Sequence, residues 1–447
     1  MSRERWGIVG GGMLGMTLAL RLSEAGRDVT ILESAPHCGG LASPWRLGDV
    51  VWDRHYHVTL YSDLALRALV EQLGLSEQMH WVTTRTGFYV DGQLLSFSST
   101  LDFLRFPPLS LVQKARLAWT IIHASRIRDW KPLEQVTSLE WLRKHSGRET
   151  VEKIWHPLLR AKLGVNAEKA SASFIWAIIA RMYAARRSGI KRELFGYMDG
   201  GYARTLNRFD EYLRQRGVEI VTNTRVARVE GGVDRGLTVV TADGARLGFD
   251  RVITTLAAPL AARVCDELSP VERDLMSGVE YQGIICASLL LDRPLASYYV
   301  TNITDTWVPF TGVIEMTALV DRATFGNRSL VYLPKYVPSD DPAFDRSDEE
   351  IEESFIGALR RMYPDFDRNA VRAFRISRVK YVLPITTLGY SDRLPPIRTS
   401  VPGLYTVNSA HIVNGTLNVN ETVELANRTA REVLADEVLR TTVRVAS

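Results

Sequence analysis

The feature that most constrains the fold is a glycine-rich turn near the start of the chain. Residues 10–15 read Gly-Gly-Gly-Met-Leu-Gly and fit the pattern G-x-G-x-x-G. The apolar residues 6–9 before the turn predict a strand, residues 13–25 after it have the leucine spacing of a helix, and residues 28–32 predict a second strand. This order of strand, turn, helix and strand predicts a βαβ unit that binds a dinucleotide.

Each glycine of the turn has its own role in such a unit. Gly10 allows the tight turn off the strand, Gly12 lets the backbone approach a pyrophosphate, and Gly15 lets the helix and the strand pack closely. The helix N-terminus then offers free amide groups and a partial positive charge to the phosphates. Glu33 closes the second strand, where an acidic side chain accepts hydrogen bonds from the ribose hydroxyls.

A second glycine loop follows the acid, in residues 38–43 with the sequence CGGLAS. At this point the chain resembles the amine oxidase and protoporphyrinogen oxidase-like superfamily of flavoproteins, whose N-terminal signature runs through an acid to Gly-Gly-x-x-Ser. The resemblance implies FAD rather than NAD, with this loop against the diphosphate and ribityl chain. Leu41 stands where the family usually has a basic residue, so a side-chain contact with phosphate is lost or supplied elsewhere.

The C-terminal part of the chain resembles the same family. Residues 403–410 resemble its last strand and the turn that touches FAD, and residues 418–420 open a last helix whose N-terminus would face the flavin pyrimidine carbonyl. Val226 resembles the position whose backbone holds the adenine. An ordinary capped helix is the alternative interpretation of the last segment. The FAD contacts that these motifs imply are Gly10, Gly11, Gly12, Met13, Leu14, Gly15, Glu33, Ser34, Gly39, Gly40, Leu41, Ala42, Val226, Asn408, Ser409, Asn418 and Val419.

Residues 53–57, Asp-Arg-His-Tyr-His, are the first candidates for chemistry. In the protoporphyrinogen oxidase-like and UDP-galactopyranose mutase-like branches, a cluster of this type faces the isoalloxazine. A neutral histidine there can hydrogen-bond flavin N5 or the substrate. We therefore expect His57, and second His55, to be catalytic, and Tyr56 to contact the substrate. A packed or loop histidine is the alternative for both.

Four further residues are candidates in the middle of the chain. Lys335 is a catalytic candidate because amine oxidases often place a lysine, through water, at flavin N5. Arg160, near Lys162, is a candidate for holding an anionic substrate group, with a solvated helix face as the alternative. Tyr332 and Tyr381 are predicted substrate contacts.

The element pattern predicts an α/β fold in which a Rossmann-like FAD-binding domain is interleaved with a substrate domain of mixed sheet and helices. The FAD-binding domain is assigned residues 1–60, 195–265 and 395–447, and the substrate-binding domain residues 61–194 and 266–394, with a helical subdomain at about 99–192. Residues 55–81 are interpreted as a linker into a helix. The further elements expected are helices at 63–73, 200–217, 348–363 and 419–434 and strands at 218–222, 225–230, 237–241, 250–254, 281–291, 308–316, 329–336 and 404–407.

Charge and cysteine content exclude several classes of function. The chain has 55 basic and 51 acidic residues, so no nucleic-acid partner is expected. Cys38, Cys265 and Cys286 are dispersed, which predicts neither a disulfide framework nor a metal site and favours the cytoplasm.

The apolar N-terminus resembles a signal peptide, but its three glycines and the lack of a clean cleavage site argue against one. No run of apolar residues is long enough to span a membrane. Residues 103–119 are partly amphipathic, which indicates either core packing or docking to a membrane.

Taken with the resemblance, these features imply an enzyme with a small-molecule substrate. The leading interpretation is an FAD-dependent oxidoreductase that takes a hydride from an amine, an alcohol or a conjugated ring to flavin N5. The alternative is a UDP-galactopyranose mutase-like flavoenzyme that acts on a sugar or nucleotide sugar without net redox change. A third class on this fold, the prenyl-protein escort factors, fits less well because both glycine loops are complete here.

Overall fold

The computed structural model describes residues 3–187, 194–232 and 236–445. In chain order its strands are β1 (Arg5–Val9), β2 (Asp28–Leu32), β3 (Pro44–Leu47), β4 (Val50–Asp53), β5 (Thr59–Leu60), β6 (Met79–Thr83), β7 (Thr86–Val90), β8 (Gln93–Ser96), β9 (Leu194–Met198), β10 (Glu219–Val221), β11 (Val226–Gly232), β12 (Gly236–Thr241), β13 (Arg246–Phe249), β14 (Arg251–Thr254), β15 (Tyr281–Leu291), β16 (Val300–Ile303), β17 (Gly312–Glu315), β18 (Ser329–Pro338), β19 (Val371–Pro384) and β20 (Leu404–Thr406).

The helices lie between these strands in the chain or follow one another in runs. They are α1 (Met13–Glu24), α2 (Leu64–Gln72), α3 (Thr100–Arg105), α4 (Leu111–Arg126), α5 (Ser138–Ser146), α6 (Arg148–Thr150), α7 (His156–Leu163), α8 (Ala172–Arg187), α9 (Tyr202–Gln215), α10 (Ala258–Val264), α11 (Pro270–Ser277), α12 (Asp348–Met362) and α13 (Val419–Val445). A π-helical turn over Val151–Trp155 joins α6 to α7. None of the described helices combines the length and the apolar composition that crossing a bilayer requires.

A five-stranded parallel sheet, in the order β10-β2-β1-β14-β20, forms the first layer of the fold. Its central strand β1 is buried from Trp6 to Val9, because helices cover both faces of a parallel sheet. The strands come from the start, the middle and the end of the chain, and α1 and α13 share one apolar core beside them. The carboxyl ends of parallel strands meet at one edge, which is where α/β sheets bind nucleotides. The α/β prediction is confirmed.

A seven-stranded sheet, in the order β19-β15-β18-β17-β16-β7-β8, forms the second layer. Neighbouring strands are antiparallel except for the parallel pair β16 and β7. All eleven residues of β15 are buried, since this strand lies inside the sheet and both its faces are covered. One face of the sheet packs against α12 through Val331 and Leu333 of β18, and the opposite face packs against the segment after β4.

Helices α3 to α8 pack around a separate apolar core that includes Leu142 and Leu163. Capping boxes begin α3 at Ser99, α4 at Ser110 and α5 at Thr137, because each side chain accepts the amide three residues later. The structure therefore confirms helices over the described part of residues 99–192, while residues 188–192 lie outside that part. The amphipathic expectation for residues 103–119 also holds, with Leu117 buried and Leu111 74% exposed.

The helix expected at residues 63–73 is confirmed by α2, whereas the rest of residues 55–81 is not a plain linker. It contains the strands β5 and β6, and the next residues form the hairpin β7–β8. Asp91 and Gly92 connect the hairpin with φ angles of 51° and 74°, the conformation that an Asp-Gly pair favours in a two-residue turn. That dipeptide was the sequence signal for the hairpin. The strand expected at residues 308–316 is also shorter, since β17 begins at Gly312.

Candidate functional site

The two glycine loops lie backbone to backbone at the carboxyl edge of the parallel sheet. Gly12 and Gly39 form a parallel bridge, and the amide of Gly39 donates a 2.8 Å hydrogen bond to the carbonyl of Gly11. Gly10 and Gly39 have φ angles of 107° and 134°, a region that favours glycine. Both loops therefore lie where the sequence predicted them, and the bridge between them is a tertiary contact.

The glycines of the first loop differ in what a side chain at each position would contact. A Cβ on Gly15 would lie 2.0 Å from the carbonyl oxygen of Gly10, and one on Gly11 would lie 2.5 Å from Cys38 Sγ. A Cβ on Gly12, in contrast, would meet only Gly40 Cα within 4 Å, at 3.9 Å, among the described residues. Packing within the protein therefore requires glycine at 11 and 15, whereas at position 12 a side chain would extend into the space that the two loops leave for a ligand.

The start of α1 provides hydrogen-bond donors to the space between the two loops. Gly12 is the N-cap residue and, as a glycine, has no side chain that could cap the helix. The first amides of a helix have no partner within it, so those of Met13, Leu14 and Gly15 suit an anionic ligand. The side chains of Met13 and Leu14 are buried in the core, so these residues act through their backbone.

Glu33 fixes the first loop from the end of β2. Its carboxylate accepts hydrogen bonds from the amide of Gly11 at 2.7 Å and from the amide of Ala35 at 2.8 Å. The hydroxyl of Ser34 donates to the same carboxylate at 3.2 Å. The predicted ribose acceptor is thus held beside the glycine turn, and it stays half-buried.

Val226 begins the strand that follows this region. The amides of Asn223 and Thr224 donate to the carbonyls of Ala35 and Glu33 at 2.9 and 2.8 Å, which ties the start of β11 to the acidic end of β2. Val226 itself is buried in the core shared with Val9 and Leu32. A role for its backbone at the adenine stays a prediction.

The turn after β20 also comes to this edge of the sheet. Asn408 is buried, and its side-chain oxygen accepts hydrogen bonds from the amide of Ala410 at 3.0 Å and from the Tyr281 hydroxyl at 3.3 Å. This side chain therefore holds the turn, while Ser409 keeps an accessible surface. At the start of α13 the side chain of Asn418 accepts the amide of Glu421 at 3.0 Å, so it caps the helix and leaves Val419 accessible.

Arg54 is a residue that the sequence analysis did not single out. Its guanidinium Nη2 donates a 2.9 Å hydrogen bond to the carbonyl of Gly40, in the loop where Leu41 replaces the family's usual basic residue. The Nε of Arg54 is buried and has no hydrogen-bond partner among the described residues. A half-buried cation thus lies against the second glycine loop. The unexplained Leu41 was the signal to look for a replacement cation.

His55 is engaged on both ring nitrogens. Its Nδ1 lies 3.3 Å from the carbonyl of Leu41, and its Nε2 lies 3.1 Å from the hydroxyl of Ser377 on β19. Burial lowers the pKa of His55 to about 3, so the ring is neutral, with Nδ1 donating and Nε2 accepting. These contacts make His55 a link between the second glycine loop and the seven-stranded sheet.

His57 lies on the other side of the same segment, against α9. Its ring centroid is 5.0 Å from that of Tyr202, and its Nδ1 is 3.9 Å from Asp53 Oδ2. These groups line a small cavity of about 10 Å³. Burial raises the pKa of Asp53 to about 7 and lowers that of His57 to about 4, so between these values both groups are neutral. A catalytic role for His57 stays a prediction.

The predicted substrate tyrosines differ in environment. Tyr56 is half-buried, and its hydroxyl lies 2.9 Å from that of Tyr336. Tyr332 is fully buried, and its hydroxyl donates a 2.6 Å hydrogen bond to the carbonyl of Asp53. Tyr332 therefore positions residues 53–57, and the expectation that it contacts the substrate is corrected. Tyr381 is half-buried and packs edge-on against Tyr281.

Lys335 and Arg160 do not join these groups. Side chains alternate along a strand, so Lys335 lies on the face of β18 that packs against α12, opposite to the face of Tyr332 and Tyr336. Its charged neighbours are Arg346 and Asp341, and burial lowers its pKa. Arg160 is exposed on α7. The register of β18 therefore separates Lys335 from Tyr56, and a catalytic role for Lys335 stays a prediction.

Comparison with known proteins gives a match over most of the chain. A family model described as flavin containing amine oxidoreductase matches residues 14–434. A zeta-carotene desaturase from Synechocystis sp. is 26% identical over 290 residues, which cover 59% of this chain and 57% of that protein. A 15-cis-phytoene desaturase from Narcissus pseudonarcissus is 23% identical over 394 residues, covering 80% and 66%. The chain thus spans less than two thirds of the length of the first curated relatives that it matches.

Solved structures share the fold at low identity. A putrescine oxidase bound to putrescine superposes with a TM-score of 0.72 at 17% identity, covering 97% of this chain and 99% of that one. A reduced UDP-galactopyranose mutase superposes with a TM-score of 0.73 at 12% identity, covering 97% and 94%. These likenesses show that the chain shares the fold of these proteins.

Proposed function

The chain belongs to the family of flavin-containing amine oxidoreductases and is an FAD-dependent flavoprotein, and we propose that it oxidises a small organic molecule by removing a hydride. One observation carries the proposal: Gly12 and Gly39 pair backbone to backbone beside the uncapped start of α1. This arrangement provides amide donors and leaves the space at Gly12 without a side chain, as a diphosphate requires.

The residues present fit FAD. The amides at the start of α1, together with Arg54, would hold the diphosphate, and Glu33 would accept hydrogen bonds from the ribose. The backbone of Val226 would hold the adenine, and Ser409 and Val419 would hold the flavin end. FAD supplies the redox chemistry when bound, because its N5 accepts a hydride and an external oxidant such as oxygen restores it.

The chain's own residues position the substrate and exclude water. The segment from Asp53 to His57 lies between the cofactor loops and the seven-stranded sheet, fixed by His55 at Leu41 and Ser377 and by Tyr332 at Asp53. Tyr56 is accessible on the sheet side of this segment, where a substrate can meet it. The names of the relatives, desaturase and oxidase, both denote two-electron oxidations, which supports an amine, an alcohol or a partly saturated conjugated ring as the substrate.

The first test is the purified protein itself. A yellow protein with one FAD per chain is expected, and anaerobic addition of a panel of amines, alcohols and partly saturated ring compounds is expected to bleach the flavin, with oxygen restoring the colour. A colourless protein that does not bind added FAD would overturn the proposal. The UDP-galactopyranose mutase-like alternative predicts instead that a nucleotide sugar is turned over only after dithionite reduction. Oxidation is the favoured function because the matching family model describes an oxidoreductase, whereas the mutase shares only the fold, at 12% identity.

A further inference from the structure

Lys162, Tyr336 and Tyr56 form a hydrogen-bonded chain that the proposed function leaves unexplained. The Nζ of Lys162 on α7 donates to the hydroxyl of Tyr336 on β18 at 2.8 Å, and that hydroxyl lies 2.9 Å from the hydroxyl of Tyr56. Lys162 Nζ also lies 3.9 Å from the centroid of the Tyr336 ring. Three separate parts of the chain thus bring one cation and two phenols together.

These groups are only partly exposed. Burial raises the pKa of Tyr336 to about 12 and also raises the pKa of Tyr56, so both phenols are protonated at neutral pH. Lys162, Tyr336 and Tyr56 nevertheless each keep a solvent-accessible fraction of surface, so a ligand can reach all three.

Lys162 carries the charge of this hydrogen-bonded chain. A lysine ammonium can only donate, so the Tyr336 oxygen accepts from Lys162. Either phenol can be the donor in the hydrogen bond between Tyr336 and Tyr56. The two phenols are therefore backed by a positive charge.

We propose that Lys162 and Tyr56 form a subsite that binds a carboxylate group of the substrate. Lys162 Nζ contacts the hydroxyl and the ring of the neutral Tyr336, so no carboxylate among the described residues matches its positive charge. One cation beside two phenols balances a single negative charge, which fits a carboxylate. The proposal rests on the proposed function and restricts it to substrates that carry an acid group.

Binding of simple carboxylates to the FAD-loaded protein tests the subsite. The probes are benzoate and octanoate, each paired with its neutral amide, benzamide and octanamide, and affinity is measured by calorimetry and by the change in the flavin spectrum. At least one carboxylate is expected to bind about tenfold or more tightly than its amide. Equal affinity for acid and amide in both pairs overturns the proposal.

Variants assign the effect to this chain of residues. Lys162→Met is expected to weaken carboxylate binding about tenfold and to leave amide binding unchanged, while Lys162→Arg keeps the preference for the acid. Tyr336→Phe breaks the chain and is expected to weaken carboxylate binding by a smaller factor, about threefold. Lys144→Met, which removes an exposed lysine of α5, is the matched control and is expected to have no effect.

The outcome is separable from that of the proposed function. FAD content reports whether the flavoprotein assignment holds, and the difference between acid and amide reports on the subsite alone. A yellow Lys162→Met protein that binds carboxylates as well as the original chain does contradicts the subsite and leaves the oxidoreductase proposal intact. If Lys162→Met does not fold, Lys162→Arg and Tyr336→Phe decide the question.

Discussion

The guanidinium of Arg54 donates a 2.9 Å hydrogen bond to the carbonyl of Gly40. This contact brings a positive charge to the second glycine loop, next to Leu41, which has no charge to offer. The Gly12–Gly39 bridge joins this loop to the start of α1. The cation that faces the predicted diphosphate therefore comes from a residue after β4 and not from the loop itself.

Replacing Arg54 is expected to weaken FAD binding. Arg54→Met removes the cation beside the second glycine loop. A charge-assisted hydrogen bond from this cation to a phosphate would contribute about 1.5–3 kcal/mol, so the FAD dissociation constant should rise at least about tenfold. Arg54→Lys, which keeps the charge, should lose less. Titration of FAD into the apoprotein at low and high salt measures this, and the salt dependence should fall in Arg54→Met. Arg46→Met, an exposed arginine of β3, is the control, and an unchanged affinity in Arg54→Met would refute the role.

Alanine at two glycines of the first loop is expected to separate binding from folding. Gly12→Ala meets only Gly40 Cα at an ordinary contact distance, so stability without FAD should change by less than about 1 kcal/mol while FAD affinity falls at least about tenfold. Gly15→Ala places a Cβ 2.0 Å from the Gly10 carbonyl and should cost about 3 kcal/mol or more. Urea unfolding of the FAD-free proteins and FAD titration measure the two effects. A Gly12→Ala chain that binds FAD normally would contradict the assigned ligand space.

Asp53 and His57 are expected to make opposite contributions to the pH dependence of folding stability, so that the two contributions largely cancel. The pKa of Asp53 is raised from 3.8 to about 7, so its contribution to stability falls as the pH rises between those values. The pKa of His57 is lowered from 6.5 to about 4, so its contribution rises with pH over that window. From about pH 4 to 6.5 the two slopes, each about 1.4 kcal/mol per pH unit, oppose each other in the original chain.

Single substitutions should reveal each slope. Relative to the original chain, the unfolding free energy of Asp53→Asn should rise with pH from 4.5 to 6.5, and that of His57→Gln should fall, each by about 1.4 kcal/mol per pH unit. Asparagine at position 53 can still accept the amide of Tyr202, which limits other effects. Urea unfolding at three pH values, with FAD fixed, is the measurement. Parallel curves for all three proteins would show that the pair does not titrate as stated.

Asn408 is expected to matter for stability and Ser409 for the ligand. Asn408→Ala leaves the buried Ala410 amide without its acceptor and should cost about 1–3 kcal/mol. Ser409→Ala removes a half-buried hydroxyl that also hydrogen-bonds Tyr281 and should cost less, about 0.5–1 kcal/mol. Thermal and urea unfolding of the FAD-free proteins compare them. Equal stability of the two variants would mean that the Asn408 side chain does not hold the turn.

The sequence by itself determined the βαβ unit, the acidic end of β2 and the second glycine loop. Their determinants are local, since Gly10, Gly12, Gly15 and Glu33 act within one short stretch whose strand and helix periods can be read directly. The resemblance carried by these motifs and by residues 403–420 also led to the flavin. The Asp91-Gly92 hairpin was equally local, so it was readable from the sequence although the sequence analysis did not single it out.

Only the tertiary structure decided what each chemical side chain faces. Arg54, His55, Tyr56 and His57 are adjacent in sequence, yet they contact Gly40, Ser377, Tyr336 and the Asp53 cavity respectively, because the segment has no regular period from which its directions could be inferred. The face of Lys335 depended on the register of β18 against β15, and a shift of one residue would have reversed it. The chain from Lys162 to Tyr56 likewise joins residues far apart in sequence. Contacts of this kind form when packed layers meet, so no local pattern encodes them.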